Sequence, residues 1–174
     1  FCMDTDVDSR FVFISTPSGY ISSSENDETS YYRKIDSRTK SYDFKVVRNP
    51  KNDRNHNIIV IADPQISDAE EFPELAVHSK DIGEHVKSMD GDYTFGVMGN
   101  HDMTNYGASH ETSMKDYENF FGPAWYSFNV GKVHYVVLND NFFVGRDWFY
   151  IGYIDGRQLE WLAKDLSYVP KDHA

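Results

Sequence analysis

Cysteine is nearly missing from this chain: of 174 residues, only Cys2 carries a thiol. One thiol forms no internal disulfide, and it rules out a cage of cysteines around a metal. Long apolar runs are missing too. None approaches the ~18 residues that a membrane-crossing helix needs. Positive charge is scarce: 17 Lys and Arg stand against 28 Asp and Glu, a formal net charge of -11. A surface so acidic argues against the phosphate backbone of a nucleic acid as a partner. It leaves a small phosphate ester open as a substrate, because bound divalent cations invert the field inside a cleft. Internal repeats and low-complexity segments are also absent.

What is present suffices for a core. Hydrophobic residues make up 40% and aromatics 16%, enough for one α/β domain of ordinary size with a small appendage. The first residues, Phe1-Cys2-Met3-Asp4, read as the start left after an N-terminal segment is removed. If that segment is a secretion signal, the protein works outside the cytoplasm, in a periplasm or secreted. Residues 10–16, 31–33 and 42–47 are rich in aromatic and β-branched side chains and read as short strands, separated by a polar loop at 22–30. Residues 1–50 are therefore expected to be the tail of a small β domain. The turn cluster Asn49-Pro50-Lys51-Asn52-Asp53 leads into a second domain, 51–174.

In that second domain, 56–62 and 93–98 read as core strands with a helix at 68–89 between them. Leu75, Ile82, Val86 and Met89 form the apolar face of the helix, and His78 and His85 on a neighbouring stripe read as surface or half-buried residues. A second helix is expected at 113–121, and a hairpin from 125–128 and 132–138 about Asn129-Val130-Gly131. The last helix, 155–169, has Asp155 as N-cap, with Leu159, Leu162 and Leu166 toward the core. His134 reads as a packed histidine, His110 as an exposed loop residue, and Asn139 and Asp140 as rim residues of a cleft. The aromatic stretch from Phe142 to Tyr150 reads as a loop packed at the same rim.

Two stretches carry chemistry. The apolar run Ile58-Ile59-Val60-Ile61-Ala62 ends in Asp63-Pro64-Gln65, and Val97-Met98 ends in Gly99-Asn100-His101-Asp102. Each is a strand that delivers polar residues to its carboxyl end, where open α/β sheets build their sites. Taken alone, an Asp-Pro after a strand is more often a turn. Taken together, on either side of a helix, the two stretches fit a βαβ unit with both ends side by side. Asp63 is then a metal ligand, and Gln65 adds a carbonyl oxygen or holds a water.

Gly99-Asn100-His101-Asp102 resembles the signature motif of the calcineurin-like metallophosphoesterases, and Asp63-Pro64-Gln65 resembles that superfamily's first motif. Phe121-Gly122-Pro123-Ala124-Trp125-Tyr126-Ser127-Phe128, and the strand after it through Asn139-Asp140, are similar to the region downstream of the signature in these enzymes. The resemblance runs from about residue 56 to the end of the chain. It implies an α/β fold, a β-sandwich flanked by helices, present here in part. It also implies two divalent cations, Mn, Fe or Zn, with Asn100 as ligand to the second. His101 then faces a phosphate-ester substrate and protonates the leaving group, with Asp102 holding its imidazole in place.

Two of the family's metal-binding regions are not found. Gly91-Asp92 precedes a strand where the family's Gly-Asp ends one, and the chain reads as lacking a strand end, a helix and a strand between about Phe95 and Gly99. The family's later histidines would lie beyond Ala174. Asp63, Gln65 and Asn100 alone are too few ligands for two tightly held cations. A non-catalytic relative that binds a partner or a glycan is therefore the alternative expectation.

Overall fold

The computed structural model describes residues 9–23, 31–64, 93–104, 107–145 and 149–174. Gln65, the helix expected at 68–89 with His78 and His85, the Gly91-Asp92 turn and the centre of the Phe142 to Tyr150 stretch lie outside the described residues. The content is mixed α/β. Among the described residues the strands form five two-stranded pairs, four antiparallel and one parallel. No helix among the described residues is long and apolar enough to cross a membrane.

The N-terminal strands pair among themselves. β1 (Phe11–Phe13) lies antiparallel to β3 (Tyr32–Lys34), and β2 (Tyr20–Ser22) to β4 (Val46–Arg48). β2 was not expected from the sequence, because Tyr20, Ile21 and Ser22 are too short a run to stand out. β5 (Ile58–Ala62) and β6 (Tyr93–Val97) form the parallel pair, in register from Ile58 opposite Tyr93 to Ala62 opposite Val97. β5 is half-buried rather than fully buried, and Val60 turns outward.

β7 (Tyr126–Val130) and β8 (Val133–Val137) form the expected hairpin. Gly131 turns it with a φ of 57°, a left-handed angle that glycine adopts without a Cβ clash. The aromatic stretch is not a loop. It forms a second hairpin, β9 (Asn141–Gly145) with β10 (Phe149–Gly152). Helix α1 (His110–Ser113) leads into α2 (Lys115–Phe121), and α3 (Gly156–Ser167) comes after β10. Asp155 caps α3 as expected, accepting the Gln158 N–H at 2.9 Å.

Among the described residues two clusters form the core. Met98, Met103, Met114, Tyr117, Ala124 and Phe143 make one. Tyr126, Phe128 and Val130 make the other, joined by Phe13, Tyr31, Phe95 and Tyr135. Phe95 stacks on Phe128 with ring centres 3.5 Å apart, and Phe128 on Tyr135 at 5.2 Å. Full burial of each such side chain is worth roughly 1.5–3 kcal/mol. The chain from β6 onward thus has Phe95 in one cluster and Met98 in the other, and Gly99-Asn100-His101-Asp102 begins where it leaves the second. That anchoring holds the motif in place.

α3 docks differently from the expectation. Leu159 and Leu166 are about half exposed, at 51% and 50%, while Gln158 is fully buried. Gln158 and Asp165 face inward, two helical turns apart. Gln158 bonds the Asn139 backbone twice, each bond 2.8 Å long. Asp165 accepts from Ser127 Oγ at 3.0 Å and pairs with His134 Nε2 at 2.8 Å. The helix is held by hydrogen bonds where the pattern of leucines implied apolar packing.

Candidate functional site

The parallel register brings the ends of β5 and β6 together. Directly after Ala62, the Asp63 N–H donates to the Val97 carbonyl at 3.3 Å. Asp63 then turns with a φ of 55°, in the left-handed region that few residues other than glycine enter. Asp and Asn tolerate it best, because a short polar side chain can bond locally. The Asp63 carboxylate does so: Oδ1 accepts the His101 backbone N–H at 2.9 Å. Asp63 and the Gly99-Asn100-His101-Asp102 turn are thus joined by a direct hydrogen bond.

Gly99 is required by space, not by backbone angle. Its φ of -104° and ψ of -179° are extended and open to any residue. A Cβ there would lie 2.5 Å from both Cβ and Cγ of Asp63, inside van der Waals contact. After Gly99 the chain makes a single 3-10 turn, Asn100–Asp102. Asp102 closes it from within: its Oδ2 accepts the Gly99 N–H at 2.8 Å, and its own N–H points back to the Gly99 carbonyl at 3.4 Å.

The three motif residues therefore part company. Asn100 is half-buried at the edge, His101 is exposed, and Asp102 is fully buried. Asp102 was expected to hold the His101 imidazole. Its carboxylate bonds the Gly99 N–H and so sets the shape of the turn that presents His101. The imidazole of His101 lies open to a ligand from solvent.

Other expected site residues sort themselves by burial. Asp140 is exposed. Asn139, expected at the rim, is instead buried at 1% exposure with its backbone clamped by Gln158. Its Oδ1 accepts the Asn141 N–H at 3.0 Å, and Asn141 Nδ2 reaches the Met98 carbonyl at 3.5 Å. Asn139 and Asn141 thus support the motif from behind. His134 is packed as expected, between Asp165 and the Asn129 side chain. His110 is not exposed: it is buried at 7% exposure. Its neighbours in sequence are polar, and nothing in them announced the cover that β9 provides.

Comparison with protein-family models, curated proteins and solved structures finds no match.

The donor set fits a divalent cation in part. Asp63 supplies a carboxylate whose Oδ1 is already oriented by the His101 amide, and Asn100 supplies a carboxamide at the same edge. Both are oxygen donors of the kind that Mn, Fe or Zn accept alongside imidazole. Among the described residues no group of three or more His, Cys, Asp or Glu comes together to hold a metal.

A tyrosine hydroxyl of β7 braces β6. The Tyr126 hydroxyl donates to the Gly96 carbonyl at 2.9 Å. Burial raises its pKa to about 12 and pushes those of Tyr31 and Tyr117 up further, so all three stay protonated donors. The signal was available in principle, since a tyrosine on a buried strand needs a partner for its hydroxyl. A cavity of about 450 Å³ opens on the same strand, lined by Ile14, Tyr20, Tyr31, Phe95, Tyr126 and Phe128 among others. No charged side chain among the described residues lines it, so it does not suit a phosphate group.

Proposed function

We propose that this chain carries the substrate-facing edge of a metal-dependent phosphoric ester hydrolase of the calcineurin-like kind. One observation carries the reading: the parallel pairing of β5 and β6 sets Asp63 against Gly99-Asn100-His101-Asp102, with a 2.9 Å hydrogen bond between the two motifs. In this reading the finer fold is a partial phosphoesterase β-sandwich with flanking helices. The pairs β1–β3 and β2–β4 are then the tail of a preceding β domain. Asp63, Gln65 and Asn100 would hold divalent cations, Mn, Fe or Zn. Two such cations would supply the charge neutralisation and the activated nucleophile that phosphate ester hydrolysis needs.

The chain's own residues do the rest. Asp102 holds the turn closed, so that His101 projects outward from a fixed backbone. The His101 imidazole meets the ester and hands a proton to the departing oxygen. Asp63 ties the His101 amide to its own edge, so the proton donor keeps a fixed place beside the Asp63 carboxylate.

The test is metal content together with turnover of p-nitrophenyl phosphate and bis(p-nitrophenyl) phosphate. The full-length protein should bind close to two Mn, Fe or Zn per chain. His101→Ala should lower turnover by roughly 10²–10⁴, the range for loss of a general acid, with metal content unchanged. If the metals leave together with the activity, His101 has been given the wrong role. A second reading is a non-catalytic module for a partner or a glycan. It is favoured by the exposed Tyr150, Ile151 and Tyr153. Metal content below one per chain, with no turnover, decides for that module.

A further inference from the structure

His110 opens α1 and is buried at 7% exposure between three elements. Its ring stacks on Phe142 of β9 at 4.2 Å. Nδ1 accepts the backbone N–H of Phe143 at 3.2 Å. A ring nitrogen that accepts is unprotonated, so the neutral ring carries its proton on Nε2. That nitrogen has no hydrogen-bond partner among the described residues, an unusual state for a buried donor. Asp155 Oδ2 lies 4.0 Å away, at the start of α3. The other Asp155 oxygen is occupied by the Gln158 N–H as the helix cap.

We propose that His110 is a proton-operated latch: neutral, it fastens the β9–β10 hairpin to α1 through Phe143, and protonated, it releases Phe143 and pairs with Asp155. The chemistry is direct. The Phe143 N–H needs the Nδ1 lone pair, and a proton on Nδ1 sets a donor against a donor. The resulting cation has a carboxylate within 4.0 Å, and a shift of about 1 Å brings it to charge-assisted hydrogen-bond distance.

The charged groups around the ring come from every neighbour. Asp155 on α3 and Glu111 on α1 favour the cation, while Arg157 on α3 and Arg10 before β1 oppose it. Glu111 and Arg157 are themselves paired at 3.4 Å. β9 contributes only Phe142 and Phe143, which carry no charge. Burial is the largest influence and holds the imidazole pKa below its ordinary value of 6.5. A depressed histidine pKa means that the open state binds the proton more tightly than the closed one. The latch is therefore fully fastened above pH ~6.5 and weakens as pH falls below it. Because Asn141 of the same hairpin bonds the Met98 carbonyl, release slackens the residue that precedes Gly99.

The experiment tracks amide hydrogen exchange at Phe143 in the 174-residue chain from pH 7.5 to 5, corrected for intrinsic rates, alongside the ¹⁵N shifts of the His110 ring. Above pH 6.5 the ring should show the Nε2–H tautomer. Below it, Phe143 protection should fall by up to about tenfold per pH unit, while amides of β7 and β8 keep theirs. His110→Gln offers a carboxamide oxygen to the same N–H but does not titrate, and it should abolish the fall. Asp155→Asn keeps the helix cap and should move the transition to lower pH. A flat profile, a fall that persists in His110→Gln, an Nδ1–H tautomer at neutral pH, or simultaneous loss of protection in β7 and β8 overturns the latch. An unmoved transition in Asp155→Asn overturns the transfer to Asp155.

Discussion

A methyl group on Gly99 has nowhere to go. It would lie 2.5 Å from two carbons of Asp63, and the extended backbone of Gly99 offers no strained angle to relax in exchange. Gly99→Ala should therefore push Asp63 off its left-handed turn and break the bond from the His101 amide. Such overpacking costs about 1–3 kcal/mol. Urea unfolding should show a lowered midpoint, and the His101 amide should lose its protection. A variant as stable as its parent, with that amide still protected, would mean that Asp63 does not occupy this space. At this scale the sequence was legible in part. Asp63, Asn100 and His101 stand at one edge, as two apolar runs ending in polar residues implied. The bond from the Gly99 N–H to Asp102 was not legible, because a carboxylate beside a histidine looks like its orienting group. Only the backbone path shows that a 3-10 turn buries one neighbour and exposes the other.

The helix α3 shows where pattern reading stops. Its start was legible from Asp155 with Gln158 three residues on, a chemistry local to one turn. Its buried face was not. Leu159, Leu162 and Leu166 have the spacing of a core stripe, yet Leu159 and Leu166 are about half exposed, and the inward face carries Gln158, bonded to the Asn139 backbone beyond β8, and Asp165, bonded to Ser127 of β7 and His134 of β8. Hydrogen bonds between residues far apart in sequence leave no periodic trace. Gln158→Leu keeps the volume and leaves the Asn139 N–H and carbonyl unpaired in the interior. It should cost about 2–4 kcal/mol in thermal or urea unfolding, since each orphaned group costs roughly 1–3. Leu159→Ala, on the exposed side, should change stability by less than about 0.5 kcal/mol. The reverse ranking would restore the leucine stripe as the docking face. The β9–β10 hairpin was illegible for a related reason. Phe142 and Phe143 are adjacent aromatics that break the alternation of a half-buried strand, and both are placed, one on His110 and one in the core.

Across the whole molecule, the N-terminal strands are tied to the rest by more than proximity. Asn129 donates twice to the Thr16 carbonyl at 3.1 Å, Phe13 meets Trp161 edge-on, and Arg10 pairs with Glu118 of α2 at 2.7 Å. Glu118 is 4% exposed, and burial raises its pKa from 4.5 to about 7 in spite of Arg10. The sign comes from proton binding. A folded-state pKa above the unfolded one stabilises the fold at low pH, and that contribution is lost as pH rises through about 7. Stability should fall by on the order of 3 kcal/mol between pH 4.5 and 7.5 on this account. Glu118→Gln should flatten that slope in urea titrations, and an unchanged slope would assign it to other groups. The parallel pair β5–β6 has a consequence in time. β7 and β8 are joined by one tight turn and can close within microseconds. Ile58 and Tyr93 meet only after the whole segment between them has been drawn into a loop, so their pairing waits on the slowest chain closure near the site. Asp63 and His101 then find each other late in refolding. In stopped-flow experiments, trimming Ile61 to Val should speed unfolding and leave the refolding rate nearly untouched, whereas trimming Val136 to Ala should slow refolding. The edge that holds Asp63 and His101 should therefore be the last to assemble and the first to come apart.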